Sequence, residues 1–487
     1  MNSVFNQELL NSCIKQKKVT FPEKYIGYFL GPFLALISNA ILASYLNRYY
    51  SDIVGWTNQE TFGAFSALLP IVSVIFVIIG NLVLGRLIDT TRTKQGKARP
   101  YLLLSAILIS VALLSIFCIP LTTNATFQMF WIAVSYNLYY SIAYPFFYTS
   151  HSSLVSLSTR DAASRGLLAT LSNAAGIAAV GLGASILVPM FLQNYLFVEE
   201  NGVLDVSASY QNWRSVIVIL CVVTLIGILL EYFFTRERVT EEEIQNQLTK
   251  VNFVPLKQQI NGCLSNRYWW LIIAYFLIFQ LGGLVKNGSM SYYSRWMFEG
   301  VVTEADAGNA MGMLGLIGGI PTALGMVVAW PIANKLGKQK SIIIGLVLSI
   351  LGGMVSFLDV HNFLIVCVGV VLKGIGSIPA MYVTLALLSD VLDFLEQKNG
   401  FRSDGFTMSV YGAIMVGMAG LGNGLINFLL SSAGYNPSLT SQSSAVSNML
   451  VFCYLVAELI CYVVLVFLLM FLTVEKENNN QASALNC

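Results

Sequence analysis

The chain has 487 residues, 56% of them hydrophobic and 11% charged, with a formal net charge of +2. A soluble globular surface carries about twice that share of charge, so a water-soluble fold is excluded. The balance is too neutral for nucleic-acid binding, and eight scattered cysteines without CxxC spacing argue against a disulfide framework or a metal centre.

Apolar runs of about 20 residues mark membrane-spanning helices. Twelve such runs are predicted, near 25–47, 63–88, 100–121, 127–157, 166–194, 214–235, 268–293, 307–333, 341–358, 362–389, 404–432 and 447–473. A polar segment, 1–24, precedes them. The first span carries Ser38, Asn39 and Ser44. The second leads into a dense basic turn, Gly85 to Pro100, with Arg92, Lys94, Lys97 and Arg99. The fourth is rich in polar aromatics: Tyr136, Tyr139, Tyr140, Tyr144 and Tyr148, followed by His151. Ser172 and Asn173 lie on the fifth. A charged linker, 236–267, separates spans 25–235 from spans 268–473 and reads as a solvated connection with a short surface helix.

In the second half, Lys286 sits in the outer third of the seventh span, and Gly312 to Pro321 interrupt the eighth. A second basic turn, Lys335 to Lys340, repeats the place of the first, the signature of an internally duplicated carrier. The tenth span holds Lys373 and Tyr382 and gives way to an acidic-basic run with Asp390, Asp393 and Arg402. The eleventh holds Tyr411 and Asn423, and the twelfth Glu458, before the tail 474–487. Lysines and arginines concentrate in alternate loops, which places both termini on the cytoplasmic side of the cell membrane.

Lys373 and Glu458 each lie about eleven residues into their spans, near mid-bilayer. A lone charge there costs about 3 kcal/mol or more, so the two are expected to pair. That pair is either structural or, with Glu458 binding a proton, a coupling site. Asn39, Tyr144, Tyr148, Asn173, Tyr382 and Tyr411 supply amides, hydroxyls and flat aromatic faces, the chemistry that sugars need. Lys286 either snorkels outward or favours an anionic substrate. His151 is a titratable group whose default reading is a packing residue. Asp89, Arg92, Arg99, Asp390, Asp393 and Arg402 are the candidate gating charges, with solvated loops as the rival reading.

The segments Tyr49 to Gly55, Gly85 to Pro100, Tyr232 to Val239 and Asp390 to Gly405 together resemble the glycoside–pentoside–hexuronide:cation symporters, the melibiose-permease branch of the major facilitator superfamily. The resemblance implies an all-α membrane protein with twelve transmembrane helices in two six-helix bundles. It also implies alternating access around a central sugar site, coupled to H⁺ or Na⁺. The family pattern places aspartates on the second span where this chain has Val77 and Asn81, and further charged residues where it has Tyr148, Asn173 and Val416. A sugar or glycoside carrier is therefore expected, with coupling in question. A facilitator without cation coupling, or a carrier of a lysolipid, another amphiphile or an organic anion, are the alternatives. No nucleophile elbow, phosphate loop or HExxH motif is present, so neither an enzyme nor a cofactor is expected, and the partners are the substrate and the lipid bilayer.

Overall fold

Twelve long helices follow one another in a computed structural model describing residues 8–54, 60–91, 93–159, 161–200, 203–245, 256–401, 404–437, 439 and 441–477. They are α1 (Glu23–Ile53), α2 (Glu60–Thr90), α3 (Arg99–Phe117), α4 (125–158), α5 (162–196) and α6 (Val206–Phe234). The second set is α7 (Arg267–Trp296), α8 (Glu304–Leu336), α9 (Lys338–Val355), α10 (Phe363–Asn399), α11 (Asp404–Ser432) and α12 (444–470). Ten of these contain stretches long and apolar enough to cross a membrane; α4 and α8 are as long but fall outside that ten. The chain divides into two compact units, Met1–Val251 and Asn252–Cys487, each holding six of the long helices.

Leu68, Ile75, Ile79 and Leu82 recur along one face of α2 with more than half their surface exposed. An apolar helix face of that extent suits hydrocarbon and not water, which makes the chain a multi-pass membrane protein. The polar residues point the other way: buried positions on α4 include Tyr136, Tyr139, Tyr140, Ser150 and His151.

Side-chain caps set the helix ends. Asp205 accepts from the Ser207 and Ala208 amides at 2.9 and 3.0 Å, so α6 begins eight residues before the apolar run that announces it. Thr303 and Asp306 form a reciprocal capping box at the start of α8. These amide and hydroxyl bonds hold the Asp306 carboxyl below the usual range. The charged run after Asp390 is not a loop: α10 continues to Asn399 and stops where Gly400 adopts φ +73°. Hydropathy marks where hydrocarbon ends, whereas capping marks where the helix ends.

The expected solvated linker is also corrected at its start. Glu237 and Arg238 are buried, and Arg238 pairs with the fully buried Glu23 at 2.7 Å. The Glu237 carboxylate accepts from the Lys97, Ala98 and Arg99 amides at 2.7, 2.9 and 2.9 Å. Gly96 has φ +114°, and a Cβ there would stand 2.3 Å from the Glu237 carboxyl carbon. In the second unit Glu475 accepts from the Lys338 and Gln339 amides at 3.1 and 3.2 Å, beside Gly337 at φ +87°. Thr235-Arg236-Glu237 and Thr473-Val474-Glu475 thus bind the turns Gly96-Lys97-Ala98-Arg99 and Gly337-Lys338-Gln339-Lys340 alike.

Candidate functional site

In the first unit the wall of α4 is shaped by a proline. Pro145 has no N–H to donate one turn back, and the preceding Leu138–Ala143 widens into π-helical turns. Tyr139 and Tyr144, five residues apart, consequently both reach Asn39 on α1. The Tyr139 hydroxyl donates to Asn39 Oδ1 at 3.3 Å, and Asn39 Nδ2 donates to the Tyr144 hydroxyl at 3.2 Å. Tyr144 stacks on Tyr148 with ring centroids 5.6 Å apart. The result is an uncharged cluster of one amide, phenolic hydroxyls and flat rings. Tyr139 was named among the polar aromatics of its span but not as a substrate contact, because its spacing in a regular helix does not set it beside Tyr144.

Asn173 is exposed on α5 and takes no part in the hydrogen bonds of this cluster. Asn81 braces α2 to α4: its Nδ2 donates to the Val77 carbonyl at 2.9 Å, and its Oδ1 accepts from Thr149 at 3.2 Å. Both functional groups of its amide are engaged, as befits a neutral bracing residue.

His151 is hydrogen-bonded through both ring nitrogens. Its Nδ1 lies 2.7 Å from Glu231 Oε1 on α6, and its Nε2 lies 2.9 Å from Ser172 Oγ on α5. Glu231 is fully buried. It escaped sequence reasoning because it stands a few residues before the charged Thr235–Arg238 stretch and reads as the edge of the membrane. Contact with α1 fixes its depth, since a Cβ on Gly31 would fall 2.7 Å from the Glu231 amide nitrogen.

In the second unit Lys373 Nζ and Glu458 Oε2 meet at 2.5 Å, both buried. Tyr462 donates to Glu458 Oε1 at 3.0 Å. Lys286, partly buried on α7, interacts electrostatically with both members of the pair. Two cations and one anion therefore share this pocket of charge. The Tyr411 ring packs edge-on against Phe276 at 4.7 Å, and Tyr382 is half-buried at the kink that follows Pro379.

Among the gating candidates, Lys338 Nζ holds the two Asp390 oxygens at 2.6 and 2.8 Å, a partner the sequence did not offer. Asp393 is half-buried on the same helix. Arg99 is turned inward: its guanidinium donates to the Tyr232 carbonyl at 2.9 and 3.1 Å and lies over the Tyr232 ring at 4.4 Å. It braces α3 against α6 and is not a free gating charge. Arg92 and Arg402 lie outside the described residues, as does the Asp89 side chain.

The sequence profile of the MFS/sugar transport protein family matches residues 27–476. The isoprimeverose transporter of Lactiplantibacillus pentosus is 24% identical over 90% of this chain and 85% of its own length. The lactose permease of Leuconostoc lactis is 24% identical over 80% of this chain, which spans little more than half (58%) of that longer protein. Among solved structures, a D-xylose–proton symporter aligns over 93% of this chain and 97% of its own, with TM-score 0.62 and 16% identity, a likeness of fold. The chain belongs to the MFS/sugar transport protein family, in its glycoside–pentoside–hexuronide:cation symporter group, and is a secondary membrane transporter with the all-α major facilitator fold.

Proposed function

We propose that this transporter carries a neutral sugar or glycoside across the cytoplasmic membrane, with both termini in the cytoplasm and the two six-helix halves alternating access. The observation that carries the reading is the Asn39–Tyr139–Tyr144 cluster with its stacked Tyr148. An amide and phenols exchange hydrogen bonds with sugar hydroxyls, and aromatic faces pack on sugar C–H surfaces, without the desolvation cost that charged groups would add. The names of the two curated relatives, which are those of sugar carriers, support the same substrate class. Counterflow in proteoliposomes preloaded with a panel of sugars and glycosides tests it. Exchange of at least one sugar, but not of lysolipids, is the expected result; lysolipid exchange alone would sink the sugar reading.

One observation favours a second reading. The Lys286–Lys373–Glu458 group carries one more positive than negative charge inside the membrane. That surplus suits a substrate with a carboxylate, such as a uronide, in place of a neutral sugar. Competition between a uronide and its neutral parent sugar in the same counterflow assay separates the two readings.

A further inference from the structure

We infer that the string Glu231–His151–Ser172 is a proton-binding site, and that the ion this chain moves with its sugar is a proton taken up by the His151 ring on its Ser172 side, with the Glu231 carboxylate balancing the charge. The inference rests on the sugar-carrier reading for its role in coupling, but the site itself stands on geometry within the first unit.

Three helices build it. His151 projects from α4, Glu231 from α6 and Ser172 from α5, and all three are buried. Glu231 Oε2 has no hydrogen-bond partner among the described residues, although Glu231 is fully buried. A carboxylate kept only for packing would be expected to satisfy both oxygens. The binding step balances simply. A proton joins the imidazole ring to give an imidazolium, whose Nδ1–H donates to Glu231 and whose Nε2–H donates to Ser172. Its departure restores a neutral imidazole that still donates from Nδ1 to the carboxylate and accepts from the Ser172 hydroxyl. With the proton the string is electrically neutral; without it, one uncompensated negative charge is left in a buried place. The proton is thus retained while the string is closed to water and released when the bundle opens.

Other ions and other pairs fit less well. A sodium ion wants several hard oxygen ligands, whereas an imidazole nitrogen lies at the centre of this string. The Arg48–Asp52 pair elsewhere in this unit, 3.0 Å apart, contains a guanidinium that does not give up its proton. The titratable or charged groups facing the string are Tyr148 on α4, whose ring is 6.4 Å from that of His151, and Tyr28 and Glu23 on α1. Glu23 is matched by Arg238, and Glu237 is held by backbone amides. Coupling has a direct route, because Tyr148 stacks on Tyr144 of the sugar cluster and also contacts the His151 ring. A proton at His151 and a sugar at Tyr144 therefore bias the same stretch of α4.

Two measurements test this. The chain has only two histidines, His151 and His361, so a His361→Gln protein labelled with ¹⁵N-histidine reports His151 alone. The expected result is a change in its ring nitrogen shifts between pH 5 and 8, with a midpoint that moves by about half a pH unit or more in Glu231→Gln. A flat response across that range would overturn the site whatever the transport assays show. In proteoliposomes containing a pH dye, sugar addition should acidify the lumen in the wild-type protein. His151→Gln and Glu231→Gln should lose this acidification, by a factor about tenfold or more larger than any accompanying fall in counterflow, since exchange needs no net proton movement. Undiminished acidification in both variants would refute the assignment. Failure of every sugar in wild-type counterflow would strike the carrier reading instead, and leave the ¹⁵N result to decide the site.

Discussion

Glu237 and Glu475 hold equivalent positions in the two units: each follows the last long helix of its unit and accepts backbone amides from a Gly-Lys turn. The first clamps three amides in a buried setting and the second two in a partly exposed one. An internal duplication is here visible as a repeated physical device, since a glycine at positive φ leaves room for a carboxylate over successive N–H groups.

Glu237→Ala should therefore be the more damaging of the two alanine variants. It strands three amide donors, two of them buried, and a buried donor left unsatisfied costs about 1–3 kcal/mol. Thermal denaturation in detergent should show a clearly larger fall in midpoint for Glu237→Ala than for Glu475→Ala. Equal falls would mean that the first turn is held by something else.

Lys373 and Glu458 offer a double-mutant cycle. Lys373→Met alone leaves Glu458 buried with the Tyr462 hydroxyl and the charge of Lys286 but no direct ion pair, and loss of one partner of such a pair costs about 3–5 kcal/mol. Adding Glu458→Met should recover most of that, because apolar side chains pack well in hydrocarbon surroundings. Heat stability of the single and double variants gives the answer. A double variant no better than the single one would show that the charges do more than neutralise each other.

Asn39→Ala and Tyr144→Phe probe the sugar cluster. Either removes the 3.2 Å contact between the two side chains and a group able to bond a substrate hydroxyl. The expected effect is a rise in counterflow half-saturation of about tenfold, the equivalent of about 1.4 kcal/mol. The melting midpoint should change little. A matching loss of stability in both variants would recast the cluster as packing.

Lys286→Gln removes the charge surplus next to the Lys373–Glu458 pair. If the substrate is neutral, its exchange should be unchanged within about twofold. If the substrate is a uronide, affinity should fall by about tenfold or more, with its neutral parent unaffected. Competition curves for the two sugars provide the measurement.

Much of the architecture was legible in the chain itself. Apolar runs located the spans, because a buried backbone in lipid must be helical and long enough to cross. The expected Lys373–Glu458 pairing also came from depth alone, since two opposite charges at one level of a membrane have few other partners. The helix ends were less legible, as α6 and α10 show. Their first or last turns are polar, and hydropathy cannot distinguish a polar helix turn from a loop.

The candidate sites divide along the same line. Composition and span position picked out Asn39, Tyr144 and His151 as chemistry-bearing residues. Their partners Tyr139, Glu231 and Ser172 were decided by tertiary packing: the π-helical turns before Pro145 re-aim Tyr139, and Gly31 lets α1 settle on the backbone beside Glu231. One sequence determines which groups enter the membrane, because transfer free energy adds residue by residue. Which of them touch depends on helix rotation and closeness of approach, quantities that only the packed bundle fixes.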